Sequence, residues 1–248
     1  MSEKQIHLPT PDGDLDAWVF QPDGEGTWPA VILHTDIRGV RPVFIEKGRQ
    51  LAAQGYVVLL PNLYYRTDRA PVVDAALVPG TDAAKARYAA LRASLSPDGL
   101  QRDHAALLGW LGAHPRVAGE AVGIVGYCLS GAIALHAAAD YPARIAAVAA
   151  FHGGNLANTA AGSPHRRAGA IRARLHFGHA QDDASMPEAD IARLGAALDA
   201  AGVAHTATRY AAGHGFAVAD NPAHQADAAA RHWQELLGLF ETTLKVAA

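Results

Sequence analysis

The sequence predicts an α/β fold: a mostly parallel central sheet with helices on both faces and an antiparallel hairpin at the N-terminus. Three observations predict it. Short β-branched and aliphatic runs alternate with helix-length segments, the rhythm of strand–helix–strand units. Runs such as Ala30-Val31-Ile32-Leu33 and Tyr56-Val57-Val58-Leu59-Leu60 are apolar without interruption, as strands covered on both faces are. The chain has 248 residues, 50% of them hydrophobic, and no composition break, repeat or flexible linker divides it, so a single domain over residues 1–248 is expected.

Residues 4–8 and 14–20 alternate apolar and polar around Pro11-Asp12-Gly13, a hairpin with its turn. The strand at 30–33 runs out into His34-Thr35-Asp36-Ile37-Arg38-Gly39, polar groups at the carboxyl end of a parallel strand. Residues 43–54 read as a helix closed by Gly55, and 56–60 as a strand stopped by Pro61. From Asn62 to about Pro97 the pattern weakens, punctuated by Pro71 and Pro79 around a helix at 85–95. Such an excursion between strands is often a lid or a substrate-lining insertion. A firmer helix covers 98–113, with apolar positions at 100, 107, 108 and 111. Beyond residue 131 the expected order is a helix to Ala139, a strand at 145–151, loop over 155–170 and a strand at 173–178. A helix opened by Pro187, a strand at 204–210 and a helix over 222–239 complete it.

The stretch Val122-Gly123-Ile124-Val125-Gly126-Tyr127-Cys128-Leu129-Ser130-Gly131 carries the chemistry. An apolar strand ends at a glycine, turns within a few residues and enters an Ala-rich helix, the geometry of a nucleophile elbow. Gly126, Ser130 and Gly131 are the small neighbours that a sharp turn demands. The nucleophile position holds Cys128, the only cysteine in the chain, over a helix N-terminus that favours thiolate. The alternative is a cysteine that is simply a small buried hydrophobe.

In an open α/β sheet the strand-end loops form the functional crevice. Here four of them carry reactive groups: Asp36, Cys128, Asp182-Asp183 and His214. Cysteine, then aspartate, then histidine is the order of nucleophile, acid and base in α/β-hydrolases. His214 can serve as base for the thiol and as acid for the leaving alkoxide. A carboxylate must fix its tautomer; Asp183 is preferred for that task, with Asp182 as the second choice. Either aspartate could instead cap the helix near Pro187. Backbone N–H groups of Leu129 and Ile37 are the candidate oxyanion donors.

With these residues in view, the chain resembles the dienelactone hydrolase family. The resemblance spans almost the whole length. It rests on Gly126-Tyr127-Cys128-Leu129, Gly213-His214-Gly215-Phe216, Asp183 through Pro187, Gly55-Tyr56 and Pro61-Asn62-Leu63-Tyr64. It implies the α/β-hydrolase fold and a cysteine-based hydrolase of esters or lactones, working through a thioester acyl-enzyme. Two departures stand out. The best-known members carry a glutamate where this chain has Asp36, a carboxylate thought to hold the resting thiol protonated. They also have serine at the position of Gly215, with an arginine nearby that clamps the substrate carboxylate. No arginine follows here until Arg231, so Arg87 and Tyr88 in the insertion are candidate replacements. Tyr127, His152 and Phe216 complete the candidate substrate-lining set.

The bulk numbers exclude other classes. Net charge is −3 with no basic stripe, which argues against a nucleic-acid binder. The thirteen histidines are scattered and no H-E-x-x-H appears, so neither a metal nor another cofactor is expected. The N-terminus shows no signal peptide and no apolar run reaches membrane-spanning length. A lone cysteine suits the cytoplasm. The expected partner is a small-molecule ester or lactone, handled by a monomer or homodimer. Competing readings keep the triad in a broad carboxylesterase or thioesterase, or make the chain a non-catalytic binding or redox-sensing protein.

Overall fold

Alternating apolar and polar residues give the first two strands one buried and one exposed face. In the computed structural model, which describes residues 1–245, β1 (Ser2–Thr10) and β2 (Gly13–Gln21) pair antiparallel from Ser2↔Gln21 to Thr10↔Gly13. The Thr10 hydroxyl ties the turn, donating to the Gly13 carbonyl at 2.8 Å and accepting from the Asp12 N–H at 3.2 Å. By its internal contacts the chain divides into two compact units, Met1–Gly119 and Glu120–Ala248.

In the first unit the strands follow the order β1-β2-β4-β3. The apolar runs β3 (Trp28–Leu33) and β4 (Val57–Pro61) are parallel, and β2 pairs antiparallel with β4. Helix α1 (Pro42–Ala53) makes the crossover between them. Gly48 lets that helix close on β2: a Cβ there would lie 2.4 Å from the Phe20 ring. The insertion holds α2 (Asp82–Ala93), capped by the Thr81 hydroxyl, and leads to α3 (Pro97–Ala113), capped by Ser96. The Thr81 cap starts α2 before the Lys85 that periodicity indicated. Tyr64, Val72, Val73 and Leu91 form a small core of the insertion, with Ile37 and Tyr88 packed on it.

In the second unit β5 (Val117–Tyr127, which enters this unit at Glu120), β6 (Ile145–Phe151), β7 (Arg174–Ala180) and β8 (His205–Tyr210) are parallel neighbours in that order. Helices α4 (Ser130–Asp140), α5 (Glu188–Ala200) and α6 (Ala226–Leu244) connect and follow them. Helix α6 packs tightly on β5, where a Cβ on Gly123 would meet Leu244 at 2.8 Å and Phe240 at 2.9 Å. Three details differ from expectation. Strand β7 continues through His179 to Ala180, because its ladder with β8 runs on to Ala180↔Tyr210. Residues 164–170, expected as loop, form a 3-10 turn. Helix α6 begins after 222–225, where turn hydrogen bonds from His224 to Asn221 and from Gln225 to Phe216 hold the chain instead. Among the described residues no helix is long and apolar enough to cross a membrane.

Candidate active site

The strand-to-helix turn after β5 is as sharp as its glycines suggest. Cys128 sits in the left-handed region at φ 59°, a conformation that costs a non-glycine residue about 1–3 kcal/mol and needs outside support. That support is visible. The Cys128 N–H donates to the Phe151 carbonyl at 3.2 Å, and its own carbonyl accepts from Gly131 N–H at 3.2 Å and Gly154 N–H at 3.3 Å. The Ser130 hydroxyl closes the turn, accepting from Tyr127 N–H at 2.8 Å and donating to the Tyr127 carbonyl at 3.0 Å. Gly126 is obligatory, since a Cβ there would fall 2.4 Å from the Ser130 carbonyl oxygen. The free thiol is partly exposed above the first turn of α4.

The next two strand ends repeat the strain. His152 follows β6 at φ 39° and Asp182 follows β7 at φ 53°. Asp182 makes the turn with its backbone and is exposed, while Asp183 is turned inward with its side chain 4% exposed. His214, in the loop after β8, donates Nδ1–H to Asp183 Oδ2 at 2.6 Å. An ionised carboxylate only accepts, so the proton belongs on Nδ1 and Nε2 is left for chemistry. The other oxygen, Asp183 Oδ1, accepts from the Ser185 N–H at 2.9 Å and from its hydroxyl at 2.6 Å. Neither aspartate caps α5, whose N-cap is Pro187 without a side-chain bond.

Burial works against the charge on both partners and is outweighed on both. For His214, hydrogen bonds with Asp183 and then with Cys128, helped by attraction to each, raise its pKa to about 10. For Asp183, the hydrogen bonds from His214 and Ser185 lower its pKa to about 2. Cys128 and Asp183 therefore act on the same imidazole, Asp183 through a hydrogen bond.

Other residues of the sequence reading serve different ends. Tyr127 is fully buried, its hydroxyl 3.2 Å from His232 Nε2, and Phe216 is fully buried and stacked on Tyr210 at 4.3 Å. Both side chains are committed to partners inside the protein. His152 is buried with its ring 5.0 Å from that of His214. Leu129 is the N-cap residue of α4 and partly exposed. In the first unit, the Asp36 carboxylate is gripped on both oxygens by Arg41, at 2.7 and 2.8 Å, and accepts the Arg38 N–H at 2.9 Å. Ile37 packs on the core of the insertion. Arg87 donates to the Val72 carbonyl at 3.0 Å and pairs with Asp68 at 3.0 Å, while Tyr88 packs beside it, so both tie the insertion together.

Gly215 also finds its reason. It has φ 101°, and a Cβ would lie 2.2 Å from the Asn221 side chain, so the serine of better-known enzymes does not fit this loop. Ser185 was missed by sequence reasoning. An Asp-x-Ser spacing in which the serine bonds back to the aspartate was the signal available.

Fold and strand-end geometry define an α/β-hydrolase. More narrowly, the chain belongs to the dienelactone hydrolase family, whose model matches residues 15–244. The carboxymethylenebutenolidase of Rhodococcus opacus is 30% identical over 96% of this chain and 90% of its own. A candidate carboxymethylenebutenolidase of Synechocystis sp. is 29% identical over 97% of this chain and 96% of its own. Among solved structures, a candidate dienelactone hydrolase from Klebsiella pneumoniae superposes with a TM-score of 0.85 at 23% identity, covering 96% of this chain and 98% of that one. The protein is an enzyme of a hydrolase family.

Proposed function

We propose that the protein hydrolyses a carboxylic ester or lactone through Cys128, His214 and Asp183. The carrying observation is the His214–Asp183 hydrogen bond together with a partly exposed Cys128, on its strained elbow, that acts on the same imidazole. The Cys128 thiolate attacks the carbonyl carbon, and the backbone N–H of Leu129 meets the oxyanion. Collapse breaks the carbon–oxygen bond; the alkoxide takes its proton from His214 and leaves a thioester on Cys128. For a lactone the new alcohol stays tethered to the acyl group. His214 then removes a proton from water, whose oxygen attacks the thioester and releases the carboxylate and the thiol. Asp183 keeps the imidazole in the Nδ1–H tautomer throughout.

The names of the relatives favour an unsaturated lactone as substrate, with simple activated esters as slower alternatives. The two compact units are parts of one hydrolase domain in this reading, because the family match runs across the boundary between them. A cytoplasmic monomer or homodimer completes it. The test is intact-mass spectrometry of the enzyme quenched during turnover of cis-dienelactone and a panel of activated esters. An acyl adduct on wild-type protein, absent from Cys128→Ala, is expected. Full activity of Cys128→Ala on every substrate that wild type accepts would sink the proposal.

A further inference from the structure

The residue that ties the triad acid to the nucleophile elbow is Ser185. Its hydroxyl donates to Asp183 Oδ1 at 2.6 Å and its N–H reaches the same oxygen at 2.9 Å. The same Oγ stands 3.5 Å from His214 Nδ1, at the edge of hydrogen-bond range. The serine is itself anchored. Its carbonyl accepts the Asn155 N–H at 2.7 Å, and its side chain packs on Gly154, where any Cβ would come within 2.6 Å of Oγ. Gly154 in turn donates its N–H to the Cys128 carbonyl at 3.3 Å. A continuous path therefore runs from the Cys128 backbone through Gly154 and Ser185 to Asp183 and His214, all within the second unit.

We infer that Ser185 is a positioning residue of the hydrolytic site, holding the Asp183 carboxylate so that Oδ2 alone faces His214. The inference rests on the triad reading above and deepens it. A carboxylate with one engaged oxygen can swing about its last torsion and offer either oxygen to a histidine. Two donors on Oδ1 remove that freedom and make Oδ2 the fixed partner of Nδ1–H. The imidazole is then held with Nε2 directed to the thiol at each stage of the reaction, which keeps the reacting atoms in register.

Ser185→Ala deletes the hydroxyl donor and keeps the backbone one. Its kcat is expected to fall about tenfold, the worth of one hydrogen bond to a charged group, with KM within about twofold of wild type. Ser185→Thr, which retains the hydroxyl, should recover most of the loss. The far-downfield Nδ1 proton of His214 in the NMR spectrum should move or broaden in Ser185→Ala and return in Ser185→Thr, a change that a general loss of stability does not produce. Should Ser185→Ala fail to fold, Ser185→Cys keeps the volume with a weaker donor and is expected to show a smaller fall of the same kind. Wild-type kcat with an unshifted Nδ1 proton overturns the inference. Asp183→Asn run in parallel separates the two levels. If it too keeps full activity, the triad reading has failed; if it collapses while Ser185→Ala does not, only the role of Ser185 has.

Discussion

Asp183 and His214 hold each other in opposite charge states across the neutral range, and that makes the pair testable by titration. His214 has its pKa raised to about 10, so its contribution to stability is complete below its ordinary value near 6.5 and disappears as pH rises through about 10. The Tm gap between wild type and His214→Gln should therefore be constant below about pH 6.5, narrow progressively as pH rises from 6.5 to 10, and be closed above 10. A gap that is unchanged there would mean that the imidazolium is not held. Asp183 behaves in the opposite sense: lowered to about 2, it stabilises above its ordinary value near 3.8 and loses this as pH falls towards 2. In catalysis, Asp183→Asn is expected to lower kcat by about 10³–10⁴-fold, because an amide cannot enforce the Nδ1–H tautomer. Asp182→Asn, at an exposed carboxylate, should leave kcat near wild type. Steady-state kinetics on any accepted ester distinguishes the two. The choice between these adjacent aspartates is invisible to periodicity. It is made by the left-handed backbone of Asp182, which turns one side chain out and the next one in.

At the level of single elements, the glycine pattern was the most legible signal. Gly126 reads from sequence as a small residue in a tight turn, and the 2.4 Å approach to Ser130 shows why nothing larger fits. Because the obstacle is backbone, Gly126→Ala must displace the elbow itself. A loss of stability of about 2 kcal/mol or more and a Cys128 that alkylates at an altered rate are expected, read by denaturant melts and iodoacetamide kinetics. The loop after β3 was less legible. Asp36 reads as a counterpart of the glutamate that governs the thiol in better-known relatives, yet both of its oxygens are held by Arg41. Nothing in the spacing of Asp36 and Arg41 distinguishes a loop brace from a catalytic carboxylate. The two side chains are 6% and 9% exposed, so Asp36→Ala removes the carboxylate partner of a largely buried guanidinium and should cost about 3–5 kcal/mol. A variant that melts like wild type would show that the brace carries no load. Arg87 and Tyr88 were singled out because no arginine follows closely after Gly215; their partners are the Val72 carbonyl, Asp68 and apolar neighbours that only tertiary packing brings together.

For the whole molecule, the α/β architecture was legible because buried parallel strands leave uninterrupted apolar runs, and every such run became a strand. The placement of Cys128, Asp183 and His214 at strand ends was legible for a related reason. Parallel strands deliver their carboxyl ends to one edge of the sheet, so Cys128, Asp183 and His214, far apart in sequence, emerge from β5, β7 and β8 on the same side. Domain organisation is a different matter, because composition shows no break while internal contacts separate two compact units. If these are parts of one domain, they should unfold together. The four tryptophans supply the probes: Trp18, Trp28 and Trp110 lie in the first unit and Trp233 in the second. A Trp233→Phe variant then reports the first unit, and a variant retaining only Trp233 reports the second. Their urea transitions, each normalised to the circular dichroism of the same variant, are expected to coincide with it, as cooperative unfolding requires. A tryptophan signal that precedes the loss of helix in one variant and trails it in the other would instead establish two domains that melt separately. Cys128, Asp183 and His214 would then all reside in the second domain, with the Asp36 brace confined to the first.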